Sequence, residues 1–245
     1  GRIDVRRADT VIVIGEYMAA RMRALYSGAR KKLQIVHNWS HDVRSGVEER
    51  DWDAMKTAGR LRIVYSGNLG LAHDFSAFIE LARELAALPG VQYRFVGGGE
   101  KFEETRRMLR EVGEERTQFH PYTERAEVGR TLGSADLLLL AQDRRTLGDI
   151  VPSKFYTYLA AGRPILFLGP VNSEIGDLVR SEDIGFVLSS LDDVESALSF
   201  LRYLHQESEY ARAAGRRARE LFEQRFAFEQ SYEKLRAIVL QQASA

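Results

Sequence analysis

The chain has 245 residues, 44% of them hydrophobic and 29% charged, which excludes collagen-like and wholly disordered proteins and suffices for one large domain, or one domain and a fragment. Its 35 Lys and Arg balance 35 Asp and Glu, so the strong basic charge of a nucleic-acid binder is absent, and with no cysteine there can be no disulfide, thiolate nucleophile or cysteine-ligated metal. No apolar run approaches the ~20 residues of a membrane helix, and a chain that begins at Gly1 rather than Met, just upstream of a strand, reads as a piece of a longer protein.

Thr10 to Gly15 (TVIVIG) is a β-branched run closed by glycine. Met18, Met22 and Leu25 follow at helical spacing, and Leu33 to Val36 (LQIV) completes one β-α-β unit, too small to close a core alone. Residues 37 to 60 turn polar and charge-rich, and read as a linker with one short helix. From Leu61 strands and helices alternate. LRIVYSG (61 to 67) precedes a helix with Phe78, Ala82, Leu85 and Leu88 on one face, and VQYRFVGGG (91 to 99) precedes a helix with Phe102, Thr105, Leu109 and Val112. TQFH (117 to 120), a helix over about 124 to 133 and the strand DLLLLA (136 to 141) come next. A helix from Ser153 to Ala161, PILFLG (164 to 169), a helix over about 173 to 181, GFVL (185 to 188) and three further helical stretches complete the chain. Short Val-, Ile- and Leu-rich strands separated by single helices predict an α/β fold, a doubly wound parallel sheet covered on both faces, over residues 61 to about 205. In such sheets ligands bind outside the carboxyl ends of the strands, where strand order reverses.

Four strand-end segments draw attention. Ser66-Gly67-Asn68-Leu69-Gly70 leads to a helix with His73 and Asp74 at its start; it reads either as a loop that brings backbone amides to an anion or as a tight turn. Gly97-Gly98-Gly99-Glu100 is not a dinucleotide fingerprint, because Phe102 stands where G-x-G-x-x-G needs its last glycine, and no P-loop pattern exists. His120-Pro121-Tyr122-Thr123 either frames a nucleobase or simply ends in a capping aromatic. In Asp149-Ile150-Val151-Pro152-Ser153-Lys154, Pro152 and Ser153 suit a helix start, so Lys154 falls in the first turn, where the helix dipole disfavours a cation by roughly 0.3–1 kcal/mol. A bound diphosphate reverses that sign, and Thr157 and Tyr158 lie one turn on. The alternative is a solvated lysine. No histidine spacing suggests a metal site, and RAAGRRAR (212 to 219) reads as a solvated helix face.

In these segments the chain resembles the C-terminal half of a retaining GT-B glycosyltransferase of the group-1 class. YSGNLG, FVGGGE, ADLLLLAQD, VPSKFYTYLAAGRPIL and NSEIGDLV occur in family order, and the VPSK segment points to the branch that builds bacterial surface polysaccharides. The resemblance implies that residues 1–42 are the last βαβ unit of an otherwise missing N-terminal domain, 43–60 a linker, 61–205 a Rossmann-like nucleotide-sugar-binding domain, and 206–245 helices that pack back toward the N-terminal domain with Phe228, Tyr232, Leu235 and Val239 on their apolar face. It implies that Gly67, Asn68, Gly70 and His73 lie against the donor's diphosphate, that Gly97 and Gly98 admit the nucleoside, that Tyr122 and Thr123 neighbour the base, and that Ser153 and Lys154 hold the phosphates. The family's paired glutamates map onto Asp149 and Thr157. Thr157 departs from that pair, and Asn68 and His73 stand where Arg and Lys are common, leaving phosphate charge to Lys154, with Arg144 or Arg145 as helpers.

The implied function is transfer of a sugar from a nucleotide-diphosphate sugar, UDP-linked, to a glycan or lipid-linked acceptor, with Lys154 and Asp149 as the catalytic pair. No cofactor, metal or nucleic acid is implied, and the setting is cytoplasmic. Eight Lys or Arg against three Asp or Glu in residues 1–32 suit peripheral contact with anionic lipid. A nucleotide-sugar epimerase of the same architecture, limited to Asp149, Asp143 and His120 for acid-base chemistry, and a non-catalytic nucleotide-binding module, suggested by Thr157 and His73, are the alternatives.

Overall fold

The computed structural model describes residues 5, 7–29, 31–43, 47, 59–71 and 73–243. The expected linker lies outside these residues except at Val43, Val47, Gly59 and Arg60. Three segments build the first unit: β1 (Val11–Val13), α1 (Glu16–Leu25) and β2 (Leu33–Ile35), with β1 and β2 paired in parallel and Val11 opposite Leu33.

The main body is a six-stranded parallel sheet of β3 (Leu61–Asn68), β4 (Val91–Gly98), β5 (Thr117–His120), β6 (Leu137–Ala141), β7 (Ile165–Leu168) and β8 (Gly185–Leu188), in the order β5-β4-β3-β6-β7-β8. The α/β, doubly wound reading is therefore correct. Alternation along the strands supplies two cores. Ile63, Tyr65, Tyr93, Phe95, Leu137 and Leu139 face one side, where α2 (Ser76–Leu85), α3 (Phe102–Gly113) and α7 (Val194–Gln206) pack. Val64, Leu138, Leu140, Ile165 and Phe167 face the other, covered by α4 (Val128–Gly133), α5 (Lys154–Ala161), α6 (Glu174–Ser181) and α8 (Ser208–Leu221).

Local chemistry sets the helix ends. The Ser173 side chain accepts from the Gly176 amide at 3.0 Å to open α6, and α5 stops at Gly162, whose φ of +62° is left-handed. α4 is shorter than the expected 124–133: Glu124 is extended (ψ 151°) and a 3-10 turn occupies Arg125–Glu127. A π-turn at Phe222–Phe226 joins α8 to α9 (Phe228–Ala243). Along α9, Phe228, Tyr232 and Val239 are exposed.

Polar ties hold the first unit to the main body. The Glu16 amide donates to Glu174 Oε2 at 2.8 Å and the Tyr17 hydroxyl to Asp177 Oδ2 at 2.8 Å; burial first, then the bond to Asp177, pushes the Tyr17 pKa up to about 12. Arg21 Nε lies 2.8 Å from Asp149 Oδ1. No helix among the described residues is long and apolar enough to cross a membrane.

β3 and β4 approach so closely at their carboxyl ends that a Cβ on Gly97, where φ is +145°, would sit 2.1 Å from the Gly67 carbonyl oxygen. Gly97→Ala is expected to lower unfolding free energy in urea by at least roughly 1–3 kcal/mol, the range for backbone strain alone. Gly28→Ala, with open space at its Cβ, should change it by less than about 0.5 kcal/mol.

Candidate functional site

β3 and β6 are neighbours in the sheet, yet the chain leaves them toward opposite faces, to α2 and to α5. Such a reversal opens a crevice at the carboxyl edge. Lys154, the first residue of α5, reaches across it to the loop after β3. Its stem runs over Gly67, where an added Cβ would lie 2.4 Å from Cε. Its Nζ donates to the Asn68 carbonyl at 2.7 Å, lies 3.4 Å from His73 Nε2 and stands 5.3 Å from the centre of the Tyr65 ring. Among the described residues no carboxylate pairs with it, and burial pushes its pKa down to about 8. A desolvated ammonium at the positive end of a helix, bonded to neutral groups, is suited to receive an anion.

The loop that receives Lys154 is held from several sides. Tyr65 donates its hydroxyl to the Asn68 carbonyl at 2.7 Å, the same oxygen that Lys154 uses. Tyr158, one turn along α5, accepts from the Ser66 amide at 2.9 Å and lies 3.2 Å from the Ser66 carbonyl. Lys101, at the start of α3, donates its amide to Leu69 O at 3.0 Å and its Nζ to His73 O at 2.6 Å. His73 is 8% exposed; burial first, then the charge of Lys154, bring its pKa down to about 4. It is a neutral imidazole, not a stand-in cation. Sequence reasoning missed Lys101, and its position just past the glycine run was the only available signal.

The other expected residues fall in two groups. Asn68 also accepts the Tyr122 hydroxyl on Oδ1 at 3.2 Å, and the Tyr122 ring, 60% exposed, covers Gly98 closely enough that a Cβ there would be 3.1 Å from it. The bare Cα of Gly98 therefore serves Tyr122, that of Gly97 serves the Gly67 carbonyl, and a Cβ on Gly70 would stand 3.0 Å from Asn68 Nδ2. Thr123 is half-buried, and the exposed Ser153 caps no amide with its side chain. His120, on the opposite side of β5 from the buried packing of Phe119, keeps a buried Nε2 without a partner.

Asp149 and Thr157 are turned instead to the first unit and the segment that follows it. Asp149 pairs with Arg21, and the Thr157 hydroxyl lies 2.9 Å from the Ser40 hydroxyl. Of the arginine helpers, Arg145 is committed to Asp143, whose pKa it holds down at about 2. Arg144 lines a separate cavity of about 190 Å³ with Asp74, Ser76 and Gln142. No group of three or more acidic or histidine side chains able to hold a metal ion occurs among the described residues.

A parallel sheet with this strand order, reversing its connections between β3 and β6, defines a Rossmann-like α/β domain. The chain belongs to the glycosyl transferases group 1 family, whose model matches residues 47–221. It is 26% identical over 208 residues to WcaI of Escherichia coli (strain K12), named as a colanic acid biosynthesis glycosyl transferase, with 82% of this chain and 50% of that protein covered. It is 25% identical over 195 residues to WbjE of Pseudomonas aeruginosa, named as a glycosyltransferase, with 78% and 48% covered. The chain thus spans about half the length of these curated relatives. Anabaena HepE, solved with UDP-glucose, shares the fold with a TM-score of 0.74 at 15% identity, over 99% of this chain and 66% of that one.

Tyr158→Phe leaves the half-buried Ser66 amide without its acceptor and should cost roughly 1–2 kcal/mol of stability. Arg21→Ala breaks a half-exposed pair and should cost less than about 1 kcal/mol. Urea melts of the two variants check the contrast.

Proposed function

We propose that this chain is the donor-binding part of a glycosyltransferase that takes a nucleotide-diphosphate sugar, UDP-linked, and passes the sugar to a glycan or lipid-linked acceptor during synthesis of a bacterial surface polysaccharide. The observation that carries the reading is Lys154: a largely buried ammonium at a helix N-terminus, with carbonyl and imidazole partners and no counter-charge among the described residues. A diphosphate is an anion of the right chemistry for it. Family membership supports the transferase activity, and the surface-polysaccharide setting is supported by the printed name of WcaI. The choice of UDP is supported by the ligand of HepE, and retention of anomeric configuration and independence from metal by the resemblance of the motifs.

As the bond from sugar to phosphate breaks, negative charge grows on the leaving diphosphate and positive charge on the sugar. A preorganised cation that already occupies its place stabilises the leaving group without reorganising at that moment. Lys154 fills this role, and the loop closed by Lys101 and Tyr158 keeps Asn68 and His73 where Lys154 needs them. Asp149 acts near the sugar only after exchanging its Arg21 partner, and Thr157 leaves the ribose with a hydroxyl at most. The acceptor and the remaining machinery come from the part of the enzyme that the relatives possess beyond this length.

Titration calorimetry with UDP-glucose tests the reading. Binding at millimolar concentration or below is expected, and Lys154→Met should weaken it by about tenfold or more, as for loss of a charge-assisted contact. The diphosphate of UDP-glucose does not titrate near neutrality, so the protein sets the pH profile. Affinity should be level from about pH 6 to 7.5 and fall as Lys154 loses its proton through a pKa of about 8. Absence of binding, or a Lys154→Met variant that binds as wild type does, would contradict it.

A further inference from the structure

We propose that His73 is a positioning residue for the donor's diphosphate, a neutral imidazole that receives the Lys154 ammonium at Nε2 and, anchored through Nδ1 to Gly70, fixes where that cation meets the phosphates. The inference rests on the nucleotide-sugar reading above and adds a role for a side chain that makes no direct contact with phosphate.

The geometry selects the tautomer. Gly70 offers both its amide, 3.1 Å from Nδ1, and its carbonyl, 3.0 Å from Nδ1. An ammonium 3.4 Å from Nε2 favours a lone pair there, which puts the ring proton on Nδ1 toward the Gly70 carbonyl and gives up the bond from the Gly70 amide, since that bond needs a lone pair on Nδ1. The surroundings keep the ring uncharged. Lys154 approaches from α5, Lys101 from the start of α3, and the edge of Tyr65 from β3, with ring centres 6.3 Å apart. The adjacent Asp74 turns away, accepting from the Ser76 amide and hydroxyl at 3.0 and 2.8 Å. The imidazole is therefore flanked by two cations with no carboxylate bonded to it, and the arrangement disfavours protonation. It gives Lys154 an acceptor that can be surrendered when phosphate oxygens arrive, and it holds the ammonium on the crevice side of Asn68 until then.

Two substitutions separate this role from simple packing. Gln can place an oxygen near the position of Nε2, whereas Asn places its amide near Nδ1 and reaches only Gly70. UDP-glucose affinity is expected to drop by about fivefold in His73→Asn, as for one lost hydrogen bond, and to recover most of that loss in His73→Gln. Nitrogen-detected NMR of the nucleotide-free protein should show the proton on Nδ1, and Lys154→Met should move the Nε2 resonance. Equal affinities of the Asn and Gln variants, or a better Asn variant, would reduce His73 to a loop anchor and overturn the proposal. So would a wild-type affinity that rises as the ring protonates on acidification, which would make His73 a direct cationic ligand. If UDP-glucose fails to bind at all, the nucleotide-sugar reading fails, while an Nε2 resonance indifferent to Lys154 separately removes the contact itself.

Discussion

The ammonium of Lys154, drawn 2.7 Å from the Asn68 carbonyl and 3.4 Å from the His73 ring, sets requirements that the neighbouring loops meet. Its stem can reach those partners only because Gly67 has no side chain, and Gly67 can sit there only because Gly97 has none either. A charge that stays ionised in so dry a place needs neutral acceptors, and the Asn68 carbonyl and the unprotonated imidazole provide them. The Tyr65 and Tyr158 hydroxyls then pin the β3 end from below and from α5. Glycines, buried tyrosines and the helix start thus form one arrangement around a single cation.

The same arrangement explains how the site differs from the family pattern that the sequence resembles. The positions that would hold the paired acids serve to connect the crevice rim with the first β-α-β unit and the segment after it, Asp149 through Arg21 and Thr157 through Ser40. The crevice is left with one lysine whose bonds go to neutral groups, in a site with few formal charges. Low charge count and high desolvation act together: fewer ions need to be kept apart, and each electrostatic contact is stronger in the drier surroundings.

Much of this fold was legible before any coordinates. β-branched runs such as LRIVYSG and LLLLA fell into strands because their apolar alternation serves two faces at once, and the Pro-Ser-Lys start of α5 followed from helix-end chemistry. What stayed hidden depends on pairs distant in the chain. Nothing local tells that Arg21 meets Asp149 or that Ser40 meets Thr157, since those contacts are made by docking of separate elements. The glycine run reads as room for a nucleoside, and nothing local reveals that its bare positions also accommodate Gly67, Tyr122 and Asn68. The sequence shows only that His73 stands where Lys is common in the family; its burial between Gly70 and Lys154 makes it a neutral acceptor. The start of α4 was placed too early because an extended Glu124 and a 3-10 turn leave no mark on apolar spacing.

The central claim, that the Lys154 ammonium meets the donor's diphosphate, has a direct thermodynamic signature, because its pKa of about 8 leaves part of it deprotonated above neutrality. At about pH 8.5, calorimetry of UDP-glucose binding in buffers of different ionisation heat should reveal net proton uptake, because the anion raises the pKa of the amine on binding. The uptake should vanish in Lys154→Met. Binding without proton uptake, or with the same uptake in that variant, would contradict the account.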